Sequence, residues 1–496
     1  IRLISFISGP LLSAQIPSTQ ALTTLGSAIG QLSASLQGFS HPAANRPNFE
    51  WNLDNVLALK SMCADIENHE NAQRVDALFE RYETLIQPKL INLRNAVLYQ
   101  DANDNNIIVD PNDASQIKGV FDFGDMCFGR QINELAVCMA YALLGQEDIY
   151  TAAHALVRGY TSAFALTEQE LEVLFDLARM RLVSSVCMSS HQAKKYPDNE
   201  YLKISQQPAF ELLKRLESVD VGFMTALFRD AAGFEAVKGG KEVTAFLKAN
   251  RKHLSPMFLP DFRYQRRFVI PADGSDPRVP DLSAEEFDGW FNAKRAQLNT
   301  RYGIGRYGED RTVYQTAAFA SPASPERRTM HMGLDVFVDA NEPLYAPIAG
   351  TVYTIHDNAI HLDYGPTLIL QHKTDDGTPF YSLYGHLSPS IFELHKEGDK
   401  IEVGQLIGHI GDWDVNGGWS PHLHFQIMTD MLGHKENFYG VGHKSLWHVW
   451  NQICIDPDLM LGQAPETYQI DDQDSAQMME RRAKLLGPSL SVSYKN

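Results

Sequence analysis

The run Pro421-His-Leu-His-Phe-Gln-Ile-Met428 constrains this chain more than any other stretch. Leu423, Phe425 and Ile427 alternate with His422, His424 and Gln426. Period-two alternation marks a β-strand with one face in a core. Residues two apart on a strand share a face, so His422 and His424 sit roughly 6–7 Å apart at the backbone, close enough to converge on one ion. Two more histidine-bearing pieces come earlier, His331-Met-Gly-Leu-Asp335 and Tyr384-Gly-His386-Leu-Ser388. In a straight strand His331 and Asp335 would lie about 13 Å apart, too far for one ion. They share one only if the chain bends between them, and Gly333 permits a bend. A helix also aligns positions four apart. The Val336-Phe-Val338 that follows, with the flanking glycines, argues for strand instead.

Any one of these histidines alone reads as an ordinary core or surface residue. Several imidazoles and a carboxylate in one β-rich segment are the inventory of a catalytic zinc centre, which takes three protein ligands of nitrogen and oxygen type and keeps one position open. Spacing alone does not separate the role of His422 from that of His424. No HExxH helix is present, so no glutamate base is expected from that pattern.

Here the sequence resembles a known family. The region from about 310 to 460 is similar to the lysostaphin/LytM-type zinc metallopeptidases, the peptidoglycan endopeptidase family. The three histidine motifs occur in the family's order. So do the connectors Ala346-Pro-Ile-Ala-Gly350-Thr-Val352 and Gly398-Asp-Lys-Ile-Glu-Val-Gly404-Gln405. The resemblance implies that His331, Asp335 and His424 bind Zn2+ and that His386 and His422 are the catalytic imidazoles. It implies peptide or peptidoglycan-like substrates. Two positions depart from the family pattern: Ser420 precedes Pro421 where glycine is frequent, and Gln426 stands where glutamate is common.

Composition bounds the remaining chemistry. A length of 496 residues suggests two to four domains, and the formal charge of −18 speaks against a nucleic-acid partner. No apolar run is long enough for a membrane span. Five scattered cysteines without CxxC spacing suit free thiols in a reducing, cytoplasmic setting.

A second chemical cluster lies nearer the start. Ala96-Val-Leu-Tyr-Gln-Asp101 leads to Asn106-Ile-Ile-Val109, and then comes Gly119-Val-Phe-Asp122-Phe-Gly-Asp125. Asp and Asn in loops are by default turn formers. Placed repeatedly at the ends of apolar strands, they can hold magnesium against phosphates. Residues 1–250 resemble the C-terminal lobe of aminoglycoside-phosphotransferase and choline-kinase-like enzymes, especially the hydroxylysine-kinase-like branch. The resemblance makes Asp101 the group that orients or deprotonates a small-molecule hydroxyl. Asn106 and Asp122 would hold Mg2+ for ATP once the kinase lobe is completed. The family's histidine two residues before the catalytic aspartate is Tyr99 here. The opening run Ile1–Ile7 resembles the hinge between kinase lobes, so the phosphate-covering loop and strand lysine are expected before residue 1.

The chain read in order is then a multidomain α+β protein. A mainly helical kinase-like lobe (1–250) precedes a proline-rich linker with a short capped helix (251–309). An antiparallel all-β metallopeptidase domain follows (310–462). Helices are expected at about 19–38 and 75–85, at 133–144, after the capping box Thr167-Glu-Gln-Glu170, and after Ser283-Ala-Glu-Glu286. Strands are expected at 336–338, 349–356, 366–372, 380–386, 401–411 and 422–428. An acidic linker with a helical piece closes the chain (463–496), and its end resembles the lead-in to an aminotransferase domain. The leading functional expectation is a zinc metallopeptidase joined to a partial kinase lobe. The alternative is an ATP-dependent phosphotransferase of an amino alcohol or hydroxylated amino acid, with the metallopeptidase part as accessory or scaffold.

Overall fold

A computed structural model describes residues 6–196, 206–276, 279, 283–311, 314, 317–462 and 468–469. The chain divides into two units, Ile1–Ala236 with Ser321–Glu326, and Val237–Ala320 with Arg327–Asn496.

The first unit is mainly helical. Helix α1 (Thr19–Ser35) starts at Ser18, whose side chain caps the Ala21 amide. α2 (His69–Arg81) passes through a π turn and a 3-10 turn, the latter carrying Pro88. Two short antiparallel ladders follow. Strand β1 (Asn95–Leu98) pairs with β4 (Cys127–Arg130), and β2 (Ile107–Val109) pairs with β3 (Ile117–Val120). The remaining helices are α3 (Ile132–Ala142), α4 (Ile149–Thr161), α5 (Glu168–Lys195), α6 (Gln206–Leu216) and α7 (Val221–Ala231). α5 opens with the expected capping box, Thr167 and Glu170 each satisfying the other's amide. α1 and α4 touch backbone to backbone: a β-carbon on Gly26 would overlap the Leu156 carbonyl, and one on Gly159 would overlap that of Thr23. Small residues at a helix contact allow such an approach.

The second unit is built on one sheet. α8 (Gly240–Asn250) leads to β5 (Arg267–Val269), α9 (Ala284–Gln297) and β6 (Tyr302–Gly305). Then come β7 (Arg328–His331), β8 (Leu334–Phe337), β9 (Pro343–Tyr345), β10 (Gly350–Asn358), β11 (Gly365–Lys373) and β12 (Pro379–Gly385). The one-turn α10 (Ile391–Leu394) precedes β13 (Lys400–Ile401), β14 (Leu406–His409), β15 (His422–Met428) and β16 (Val441–His443). α11 (Trp447–Ile453), β17 (Cys454–Ile455), α12 (Asp458–Leu461) and β18 (Tyr468–Gln469) complete the described elements. The sheet order is β13-β10-β11-β12-β15-β8-β6-β5-β18, with β17 on the edge of β15. Most pairs are antiparallel; β5 runs parallel to both β6 and β18.

Two expectations need revision, and a third falls outside the described residues. The segment 251–309 is not a free linker. Leu254, Met257, Phe258 and Phe262 are buried in the same core as Leu334, Val336 and Phe425, and β5 and β6 extend the sheet. Apolar residues between its prolines bury enough surface to fix the segment. The expected strand 401–411 is two strands, β13 and β14, because Gly404 adopts a left-handed conformation between them. Those two strands pair with different partners, β10 and β9. The closing stretch 463–496, and with it the expected acidic helix, lies outside the described residues except for β18. Residues 1–5 of the opening run also lie outside them.

Among the described residues, no helix is long and apolar enough to cross a membrane. The five cysteines are free; all but Cys63 are buried.

Candidate metal centre

Strand register brings the centre together. β15 lies between β12 and β8, with His424 directly opposite Asp335 on one side and Gly385 on the other. Directly opposed residues in an antiparallel pair share a face. Asp335, His424 and the start of the His386 turn are thus juxtaposed by the ladder itself.

His331 arrives from a different ladder. It ends β7, which pairs with β16, while β8 begins at Leu334 and pairs with β15 and β6. The chain bends at Met332–Gly333, as the spacing requires. The reason for glycine is contact rather than torsion: a β-carbon there would lie 2.5 Å from His424 Nε2. Gly333 makes room for the imidazole.

The result is a buried triangle of donor atoms. His331 Nε2 lies 3.3 Å from Asp335 Oδ1, His424 Nδ1 lies 3.0 Å from the same oxygen, and the two nitrogens are 3.2 Å apart. A tetrahedral zinc centre with bonds of the usual length places its ligand atoms about 3.3 Å from one another. The three donors therefore fit three corners of such a site, and the donor set is of the type zinc takes.

Hydrogen bonds fix each ring. His331 Nδ1 donates to the Arg306 carbonyl at 2.8 Å, leaving Nε2 with its lone pair toward the triangle. His424 donates from Nε2 to Gln426 Oε1 at 3.1 Å. The Gln426 amide group in turn donates to the Tyr439 carbonyl at 3.0 Å, which settles which end of the amide faces His424. His424 is thereby left with a free Nδ1. Asp335 Oδ2 is held by the Arg311 guanidinium at 2.8 Å. Arg311 also reaches Glu309 at 3.2 Å and the Tyr314 hydroxyl at 3.0 Å, and Glu309 receives Arg306.

His386 and His422 form a second pair beside the triangle, with ring centroids 4.3 Å apart. His386 donates from Nδ1 to the Asn416 carbonyl at 2.8 Å, and its backbone is left-handed at φ 62°. Such a conformation is uncommon outside glycine and is found at functional turns. His422 donates from Nδ1 to the Ser420 carbonyl at 2.7 Å, and its Nε2 is 4.0 Å from Asp335 Oδ1. Tyr364 closes one wall. Its ring lies 5.0 Å from His424 and 5.8 Å from His386, and its buried hydroxyl has no hydrogen-bond partner among the described residues.

Burial dominates the electrostatics. It pushes His331 down to about 4, with Arg311 adding to the effect. Burial likewise lowers His422, and lowers His386 well below the ordinary imidazole range, with His422 adding to it. Burial alone would raise Asp335, but the adjacent His331 and Arg311 hold it well below the usual carboxylate range. Near neutral pH an ionised Asp335 stands beside the neutral imidazoles of His331, His386 and His422, a state suited to a divalent cation.

The first unit holds the other candidates. Asn106 Nδ2 donates to Asp101 Oδ2 at 2.6 Å, so these two meet directly. Arg181, buried on α5, approaches Asp101 Oδ1 at 3.5 Å with its guanidinium over the Trp51 ring. Asp122 is exposed and left-handed at φ 60°, and its carboxylate accepts the Gly124 amide within its own turn. Tyr99 donates its hydroxyl to the Phe121 carbonyl and sets its ring against Phe123. Glu134 on α3 accepts the Tyr99 and Gln100 amides and so pins the loop carrying Asp101.

Sequence reasoning overlooked Arg311, Glu309, Tyr364 and Glu134. The Gly/Arg/Tyr-rich segment 301–314 carried the first two without a spacing that marked them.

Comparison with known families divides the chain along the same lines. Residues 329–437 match the model of peptidase family M23, and residues 1–182 match that of the phosphotransferase enzyme family. One stretch of the chain thus matches the M23 model and an earlier stretch matches the phosphotransferase model. The M23 match contains the four site histidines and Asp335, and the other contains Asp101, Asn106 and Asp122. Hydroxylysine kinase of Mus musculus is 28% identical over 226 residues, covering 44% of this chain and 60% of that protein. Hydroxylysine kinase of Xenopus laevis is 27% identical over 231 residues, covering 44% and 62%. The chain thus spans about three fifths of the length of these curated relatives. The solved catalytic domain of the antimicrobial peptidase lysostaphin from Staphylococcus simulans is 25% identical. It covers 36% of this chain and 98% of that one, with a TM-score of 0.22.

Proposed function

We propose that the M23 domain is a zinc-dependent peptidase in which His331, Asp335 and His424 hold the metal. The observation that carries this reading is the buried triangle of 3.0, 3.2 and 3.3 Å between their donor atoms. When bound, zinc supplies Lewis acidity toward a scissile carbonyl and acidity to water.

The remaining chemistry belongs to His386 and His422. Both commit Nδ1–H to a backbone carbonyl, so both present a basic Nε2. Burial keeps them neutral near pH 7. One imidazole accepts the proton of the attacking water at Nε2. Once protonated, it donates to the developing oxyanion or delivers that proton to the leaving amine. Tyr364 and Phe337 shield the rings from solvent. Substrates of this reading are peptides of the cross-link type, rich in glycine or D-amino acids.

Metal analysis tests it. About one zinc per chain is expected, with metal and peptide hydrolysis both lost in His331→Ala. Zinc retained without hydrolysis of any glycine-rich or D-amino-acid peptide would overturn the catalytic reading and leave a scaffold.

A second reading concerns the first unit. The pairing of Asp101 with Asn106 and the similarity to hydroxylysine kinases favour phosphoryl transfer from ATP to a hydroxylated amino acid or amino alcohol. Asp101 orients the hydroxyl, while Asn106 and Asp122 hold magnesium. Calorimetric titration with ATP and magnesium tests it: binding at micromolar ATP that is lost in Asp122→Ala supports it, and binding heat unchanged in Asp122→Ala counts against the assignment.

A further inference from the structure

The residue before Pro421 is Ser420, and the fold shows what its hydroxyl does. It donates to the carboxylate of Asp288, on the first turns of α9. The carbonyl of the same serine receives the Nδ1–H of His422 at 2.7 Å. Ser420 therefore links His422 to α9 through two adjacent bonds. A glycine at this position could not reach Asp288.

The same helix also supports a face of the ring. Phe337 stacks on His422 with centroids 4.6 Å apart and planes within 18°, and the two residues are directly opposed across β8 and β15. Phe287 and Phe291 of α9 press on Phe337 at 5.3 and 5.9 Å. Arg295, one turn further on, is paired with Asp339 just beyond β8 at 2.7 Å. The helix is capped by Ser283 and Glu286, so its first turn, next to Asp288, is fixed.

We infer that α9 is a positioning element of the catalytic centre, and that Asp288, acting through Ser420, sets the orientation in which His422 presents its Nε2. This rests on the peptidase reading. Asp288 touches no substrate; it acts on the loop whose carbonyl accepts the hydrogen bond from His422 Nδ1–H. Without it, the Ser420 carbonyl is free to turn, and the His422 ring loses its fixed tautomer.

The test uses the full chain loaded with zinc. Asp288→Ala and Ser420→Gly should each lower kcat about tenfold, the size expected for one bond to a charged group, with KM and zinc content unchanged. The double variant should be no slower than either single, because both remove one interaction. Asp288→Asn should recover most of the rate, since its amide oxygen still accepts the hydroxyl. Long-range 1H–15N spectra of the metal-free protein give a readout independent of turnover. His422 should show one tautomer, protonated at Nδ1, in the parent and in Asp288→Asn, and a mixture in Asp288→Ala and Ser420→Gly. An unchanged tautomer in both of those variants, or additive loss in the double, would overturn the inference. If the parent binds zinc but cleaves no peptide, the peptidase reading falls while the spectra still decide the link.

Discussion

Replacing Arg311 by methionine should destabilise the metal-free protein far more than the zinc-loaded one. Arg311 is buried and is the one guanidinium on Asp335 among the described residues, at 2.8 Å. Its other carboxylate partner is Glu309, equally buried, at 3.2 Å. Methionine fills similar volume but leaves Asp335 without a cation, while Glu309 keeps Arg306. Removing one partner of a buried ion pair costs about 3–5 kcal/mol. For a unit of this size that is a fall in Tm of about 10 °C. In the zinc-loaded form a divalent cation compensates Asp335, and Glu309 keeps Arg306. The loss should then shrink to about 1.5–3 kcal/mol, the size of a missing hydrogen bond to a charged group. Arg311→Lys should fall between, because an ammonium cannot serve both carboxylates in the plane of a guanidinium. The assay is differential scanning calorimetry in the presence of chelator and of excess zinc. Equal losses in the two conditions would refute the idea that Arg311 stands in for part of the metal's charge.

Gly333→Ala should displace the His424 ring, since the new carbon meets it at 2.5 Å; zinc affinity by chelator competition should fall about 100-fold while the circular dichroism spectrum is kept. Gln426→Leu removes the acceptor that keeps His424 protonated at Nε2, and should weaken zinc about 10- to 100-fold; unchanged affinity would show that the tautomer is set elsewhere. His372 is buried away from the metal ligands, and burial pushes its imidazole down from 6.5 to about 4. The folded state then binds fewer protons than the unfolded one across that window. Its contribution is fully present above pH 6.5 and is lost as pH falls toward 4, by about 3 kcal/mol. Urea melts should show a flatter acid limb for His372→Gln than for the parent, and parallel limbs would count against the assignment.

Much of the candidate site was legible because its parts obey local rules. The alternation in Pro421–Met428 marked a strand, and the spacing of His331 and Asp335 demanded a bend at Gly333. Both are found. The capping boxes at Thr167 and Ser283 were equally readable, since a cap involves residues three apart. The segment 251–309 carries the local signature of a linker in its prolines and charges, while Phe258, Phe262 and Tyr264 among them suggest that it packs. Its place in the sheet depends on Phe258, Phe262 and Tyr302 meeting residues far along the chain. The break at Gly404 escaped for a similar reason, since β13 and β14 differ only in their partners.

By itself, the sequence determined which groups were available: four imidazoles, a carboxylate, a glycine between two of them, and a serine just before Pro421. Their chemistry is a property of residue type and needs no fold. Only the tertiary structure decided that Asp335 lies across from His424, that Arg311 takes the second oxygen, and that α9 reaches Ser420. Those contacts join residues 24 to 132 positions apart. Over such separations strand register and helix packing set distance, and no local preference of the chain can.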